Sequence, residues 1–551
     1  MTNPESKQQV RAPRGSRLTC LGWPQEAALR MLINSLDEVV AEKPQDLAVC
    51  EETDGPVKDW DGFHAIVHSL KSLKNDKTLF VQPGEPADVF KTTSETPRVV
   101  IAGEGPPSSE SPDTFSEGER LGRALFGYDA ARSWSSVGSQ QALQSVFETF
   151  AAVGRAHFGG DLAGRLIVSG GMGRAGGTQP LAATLQGAAF LGIDVDGERI
   201  TRRIRTGYCD FCVNSLDEAL RILKNAVRLR QPVSVGLVGN CAETIPELAS
   251  RGVVPDILSD LTGAGDRLTG YVPAGLSLQE AEALRRKDPK EYMQRACDSV
   301  VRQARGMAEL RKLGAAAFDF GNRLHGMALK YCGIKEDLRL PGFVPTYLGP
   351  AFSEGRAQLR WLALSGDAQD IRRTDELLLE LFPDDTNLAH WIRLARRYVK
   401  PQGLPARVGW LSQKQRTRYA EQLNALVAKG ELKAPVVIVR DQMNCDSEIL
   451  RLIRPGGLKG ASVPVKIQTI VNALLKLGSG ASWMSLQGKG TETSTTCRAT
   501  QAALADGSPG AAKRLQRLME SECGFSLFGR TRTGDEKAPS SHHPPAERSR
   551  G

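Results

Sequence analysis

Two periodicities alternate along this chain. Behind Pro24, the residues Ala28, Leu29, Leu32, Leu36 and Val39 recur at helical spacing, which predicts a helix from Trp23. Asp61–Leu73 repeats that pattern, Thr78–Gln82 and Arg98–Ile101 read as short strands, and Gln141–Val153 is helical again. Gly103–Gly118, rich in Pro, Ser and Glu, reads as a loop. From Arg165 the strands become continuous apolar runs. Arg165–Ser169 is followed by five glycines within Gly170–Gly177, a helical stretch Gln179–Leu191, and a second apolar run Leu191–Val195 that carries Asp194 and meets Asp196.

Strand, glycine turn, helix and strand in this order make one βαβ unit. The spacing Gly171-x-Gly173-x-x-Gly176 fits a dinucleotide turn, in which small residues let backbone N–H groups approach a pyrophosphate. An acid about 20 residues further on accepts from a ribose hydroxyl in that motif, and Asp194 is placed for it. The plainer reading is a glycine-rich turn between two packed elements that binds nothing.

The alternation then continues. Ser215 and Glu218 predict a capping box for helix Leu216–Leu229, Pro232–Val238 reads as a buried parallel strand, and Gly239-Asn240 leads into helix Glu243–Ser250. Ile257–Asp260 is a further strand. Ser277 with Glu280, and Asp288 with Pro289 and Glu291, cap two helices, the second ending at Gly314; Ala315–Phe320 reads as a strand. Ligands of such sheets sit beyond the carboxyl ends of the strands, so the loops Gly170–Gly177, Gly239–Cys241, Leu261–Tyr271 and Phe320–Asn322 are expected to wall one pocket. Beyond Pro341 come a strand Gln358–Leu364, helices Asp370–Leu381, Asn387–Tyr398 and Gln413–Ala428, and a strand Ala434–Arg440 running into Asp441. Regularity then fades over 451–466 and 487–500. The fold class is therefore α/β: a central Rossmann-like, dinucleotide-binding domain over 136–340, flanked by α/β regions at 21–135 and 341–528, with disordered ends at 1–20 and 529–551.

Composition narrows the function classes. The 551 residues are 40% hydrophobic and 24% charged, ordinary for a soluble globular chain. The net charge of +8 gathers at the ends, with no basic run interleaved with aromatics, so no nucleic-acid surface is indicated. No apolar window of about 18 residues suggests a membrane span, and the N-terminus lacks the apolar core of a secretory signal. Ten scattered cysteines read as reduced thiols; the one close pair, Cys209-x-x-Cys212, lacks the second pair a structural zinc needs, so no metal site is expected.

Longer stretches carry a resemblance. SGGMGRAGGTQPLAAT, GLVGNCAE, DLTGAGDRLTGYVPAGLS, FDFGN, PGFVP, LRWLALSGD, TDELLLELFPDD, QGLPARVGW, LKAPVVIVRD and NALLKLGSGASWMSL, in this order over about residues 23–486, resemble urocanase (urocanate hydratase). The resemblance implies a hydro-lyase of histidine degradation, a cytoplasmic homodimer with tightly bound NAD as its electrophilic cofactor and urocanate as its small-molecule substrate. Carried over position by position, it assigns the cofactor to Gly173, Ala175, Gly176, Asp194, Arg199, Asn240, Cys241, Thr262, Tyr271 and Phe320, Ala175 standing for a family methionine, Cys241 for a small residue and Phe320 for a tyrosine. Asp441 matches the aspartate of the family's RDH motif and is the expected catalytic proton carrier; an ion-paired carboxylate at a strand end is the competing reading. Departures are many. Cys50-Glu51-Glu52 replaces Tyr-Gly-Gly, Tyr128 a glutamine, Leu261 and Gly265 the glutamine and histidine of QTSAH, Gly349 an arginine, Gly409 a cysteine and Gln442 a histidine. Arg451–Gly456 stands where the family has SPNRET, and Gln487-Gly488-Lys489-Gly490 where it has HHGGGVG. A second function therefore stands beside hydration of urocanate to imidazolone propionate: a catalytically inactive relative that keeps the fold.

Overall fold

The computed structural model describes every residue except 1–9, 41–55, 83, 105–124, 128–129, 322–323, 336–337, 339, 443–464, 492–493 and 532–551. Cys50-Glu51-Glu52, Tyr128, Asn322, Arg451–Gly456 and most of Gly103–Gly118 thus lie outside the described residues.

Fourteen strands form two sheets among the described residues. In chain order they are β1 Lys77–Val81, β2 Pro86–Lys91, β3 Val99–Glu104, β4 Leu166–Gly170, β5 Ala189–Asp194, β6 Phe211–Val213, β7 Val233–Val238, β8 Ile257–Asp260, β9 Ala316–Ala317, β10 Ala357–Ala363, β11 Ala406–Leu411, β12 Val436–Gln442, β13 Trp483–Thr491 and β14 Ser494–Ala505. The first sheet is parallel throughout, in the order β6-β7-β5-β4-β8-β9. The order in which strands are added reverses between β4 and β8, the switch point where such sheets bind ligands.

The second sheet is mixed, in the order β11-β10-β12-β14-β13-β3-β1-β2. Strands from both ends of the chain meet in it: β3 pairs in parallel with β13, Val99 opposite Trp483. The long helix Gln140–Phe158 lies in the core that the two sheets share, with Phe150, Ile167, Phe190, Trp361 and Trp410 buried together. A second core, of Leu29, Ile66, Val437 and Trp483, covers the other face of the mixed sheet. A third, of Leu191, Leu223, Ile245 and Met307, covers the other face of the parallel one.

Several expectations shift. The helix after the glycine turn is only Gln179–Leu185, because Gly187 turns the chain with φ +84 and the rest of the apolar run becomes β5. An unbroken apolar stretch fits a helix or a doubly buried strand equally well by pattern. Ser215 occupies the N-cap position of its helix but makes no side-chain cap bond. By contrast, Ser277 and Glu280 form a full capping box, and Asp288 accepts from the Glu291 amide. The strand expected at Ala315–Phe320 is reduced to β9 plus a bridge from Asp319 to Gly342. The irregular C-terminal stretch holds the longest hairpin of the mixed sheet, β13 and β14, and the helices Val465–Ser479 and Pro509–Thr531. The cysteines are not all reduced thiols, since Cys297 and Cys332 are bonded. Cys209 is buried and Cys212 exposed, both free.

Candidate active site

Sequence order builds the first of two polar clusters. β4 delivers Gly170 and Gly171 to the switch point, beside Asp260 at the end of β8. A Cβ on Gly171 would overlap the backbone of Leu261, and one on Gly176 the Gly171 carbonyl oxygen, so both glycines let the turn fold tightly on itself. Gly173 is different: nothing lies within 4 Å of where its Cβ would be, so the turn is open there. Among the described residues the amides of Gly173 and Ala175 donate to no protein acceptor. The Arg203 guanidinium lies beneath, donating to the carbonyls of Met172 (3.2 Å) and Gly173 (2.7 Å) and holding the turn to helix Gly197–Arg205.

Around this turn the expected cofactor residues converge. Asp194 is buried; one carboxylate oxygen accepts from the Met172 amide (2.6 Å) and the other from the Asp196 amide (2.9 Å). Its first visible task is thus to fix the turn. Arg199, 55% exposed, lies 3.6 Å from it. Asn240 caps helix Cys241–Ser250, accepting from the Ala242 amide and donating to the Val272 carbonyl. Cys241 lies between Asp260 and Asp194, and burial pushes its thiol pKa well above the ordinary value, so it is a packed thiol rather than a nucleophile. Thr262 donates to Asp260 at 2.6 Å; Gln303 donates to the other Asp260 oxygen at 2.8 Å and accepts from Tyr271 at 2.5 Å. Sequence reasoning missed Asp260, Gln303 and Arg203. Asp260 had a signal, as an acid closing a parallel strand; Gln303, midway along a helix, had none. Phe320 lies in the hydrophobic core that also holds Met172 and Ala175 of the turn. It is buried among Phe126, Phe150, Phe318 and Phe343, where a ring without a hydroxyl is suited.

The second cluster crosses the mixed sheet. Asp441 on β12 is opposite Thr500 on β14, and Thr500 opposite Ser485 on β13, so all three project from one face. Arg360 on β10 is opposite Val439, two residues before Asp441, and joins that face. Its guanidinium is 2% exposed and reaches the Asp441 Oδ1 at 2.7 Å, with Gln141 and Ser135 as further acceptors. Thr500 donates to the same oxygen at 2.9 Å, while Oδ2 accepts from Gln141 at 3.1 Å. Asp441 keeps 23% of its side chain exposed. It is an ion-paired strand-end carboxylate with an open side. Gly409 faces the other way, packed near Trp361, Leu388 and Leu411 in the shared core. Gly349 is buried at the start of the short helix Gly349–Ser353, and neighbouring Arg356 is engaged by Asp385 at 2.9 Å.

Helix Gln140–Phe158 connects the two clusters. Gln141 in its first turn binds Arg360 and Asp441, and a Cβ on Gly127 would overlap the Gln141 amide oxygen. The Gly127 carbonyl in turn accepts from Arg174 of the glycine turn at 3.0 Å. A parallel sheet with a glycine turn at its switch point, set against a mixed sheet bearing a carboxylate, defines an α/β protein built around a Rossmann-like domain, a fold consistent with a nucleotide cofactor. Models of three domains match the sequence in order: the urocanase N-terminal domain over residues 10–135, the urocanase Rossmann-like domain over 138–347 and the urocanase C-terminal domain over 350–543. The chain belongs to the urocanase family.

Proposed function

We propose that the protein is a urocanate hydratase, adding water to urocanate to give imidazolone propionate, with NAD at the glycine turn, and that it works as a homodimer in the cytoplasm. The observation that supports this reading is the run of contacts from Asp441 through Gln141 and Gly127 to Arg174, two hydrogen bonds joined by the close packing of Gln141 on Gly127, which brings the open glycine turn and the Asp441 carboxylate to one helix end. The residues fit the cofactor. The amides of Gly173 and Ala175 are available to phosphate oxygens, and Arg199, ion-paired with Asp194 and Asp196, stands exposed at the rim. When bound, the nicotinamide supplies an electrophilic ring. Asp441 would hold or pass a proton at Oδ2, the oxygen with a single hydrogen-bond partner among the described residues, while Arg360 and Thr500 fix its orientation through Oδ1.

The test is loss of the urocanate absorbance band with purified protein, alongside release and assay of nucleotide after denaturation. Asp441→Asn is expected to lower kcat by roughly 10²–10⁴-fold, the range for a general acid or base, with nucleotide content unchanged. A variant that keeps most of its rate removes Asp441 from the mechanism. One observation favours a second reading, an inactive relative: with Gly349 in place of an arginine, the nearby guanidinium groups of Arg356 and Arg360 are already engaged by Asp385 and Asp441. A substrate carboxylate held by an arginine fork needs one of them to change partner. Calorimetry with NAD supplied tests this: absence of urocanate binding sinks the hydratase reading, and binding without turnover in the absorbance assay leaves the inactive relative.

A further inference from the structure

We propose that Cys297 and Cys332 are a reversible disulfide that locks the loop spanning residues 261–274, which carries Thr262 and Tyr271. The loop has two supports. The first is helix Pro289–Lys312, which meets it at three points along one face: Tyr292 donates to the Tyr271 carbonyl at 2.9 Å, Ser299 accepts from the Ala274 amide at 2.9 Å, and Gln303 accepts from the Tyr271 hydroxyl. The second is Tyr331, at the end of helix Leu324–Tyr331, whose ring lies 5.1 Å from the Arg267 guanidinium. Cys297 belongs to the first support and Cys332 directly follows the second. Their Cα atoms are 5.3 Å apart, inside the range a disulfide spans without backbone movement. The bond therefore ties both supports together across 35 residues of chain.

The surroundings suit a bond that forms and opens. Cys332 is partly exposed, so a small disulfide can reach it, whereas Cys297 is buried beneath. Lys330 and Arg267 both lie against the Tyr331 ring next to Cys332, and neighbouring positive charge favours the attacking thiolate. Once reduced, Cys297 has an acceptor in the Tyr331 carbonyl at 3.8 Å. Among other cysteines, burial pushes the thiol of Cys20 up to about 12 and that of Cys209 up to about 11. With glutathione disulfide as oxidant, the Cys332 thiolate displaces one glutathione thiolate, and the Cys297 thiolate then displaces the second from the mixed disulfide. The protein gives up two electrons and two protons, and the oxidant is reduced to two thiols.

The full-length protein is treated with glutathione disulfide or with dithiothreitol, alkylated and mapped by mass spectrometry, and amide exchange is followed over 261–274 without nucleotide. The expected result is a Cys297–Cys332 linked peptide in the oxidised sample only. Exchange in the loop should be roughly tenfold slower than in the reduced sample, and the melting temperature several degrees higher. Cys332→Ser should behave as the reduced protein under both treatments. Absence of the linked peptide, equal exchange in the two samples, or an oxidant response that survives in Cys332→Ser overturns the proposal. None of these readouts uses NAD or urocanate, so failure of the hydratase reading leaves them interpretable.

Discussion

The glycine-turn cluster and the Asp441 cluster are built in opposite ways. The turn at the heart of the first is sequential: β4, turn, helix and β5 follow one another within Leu166–Asp194, and its glycines act through the backbone. The second draws one residue each from positions 141, 360, 441 and 500, brought together by a mixed sheet that closes only when both ends of the chain meet. Local construction makes a cluster tolerant of its distant neighbours. Assembly across strands makes it depend on every partner, because a buried charge that loses its counter-charge keeps its full desolvation cost.

That contrast predicts unequal costs. Arg360→Leu should be the most damaging change, destabilising by about 3–5 kcal/mol in urea unfolding, since it strands Asp441 and Gln141 together. A loss under about 1 kcal/mol would place the pair among ordinary surface bridges and erase the contrast. In the glycine turn, Gly176→Ala should cost about 2–3 kcal/mol, because its Cβ overlaps backbone that has nowhere to move. Gly173→Ala should leave stability within about 0.5 kcal/mol and weaken nucleotide binding, since it meets open space. Equal stability for these two variants would mean that the turn is not folded on itself.

His325 measures what polarity costs outside both clusters. It is buried, neither ring nitrogen has a partner among the described residues, and burial, aided by Arg311, pushes its pKa down to about 4. The unfolded chain binds the proton first, near the ordinary value of 6.5, so stability is full above that pH and falls as pH drops toward about 4. His325→Phe should raise stability by about 1–3 kcal/mol and flatten this acid slope in melting curves between those pH values. Steeper acid loss in the variant would contradict the assignment. A small effect is likewise expected from Arg199→Ala: its ion pairs with Asp194 and Asp196 are exposed on the arginine side and should contribute less than about 1 kcal/mol.

Much of the parallel sheet was legible because its strands are unbroken apolar runs punctuated by glycine and capping residues. Ile257–Asp260 and the box at Ser277 and Glu280 read directly from the letters. The β13–β14 hairpin did not, since Ser485, Gln487 and Thr500 put polar side chains where alternation would show apolar ones. Those same residues line the Asp441 face, so the feature that hid the strands belongs to the polar cluster itself.

By itself, the sequence determined the strand–turn–helix order of the central unit, its glycine spacing and the family motifs in their order, because each is a property of neighbouring residues. Tertiary structure decided the partners. It set Asp194 against the Met172 amide and Phe320 in an aromatic core. It also paired Asp441 with Arg360 and joined Cys297 to Cys332. Each of these depends on which side chains a fold brings within hydrogen-bonding or bonding distance. Residues far apart in the chain carry no local mark of that meeting.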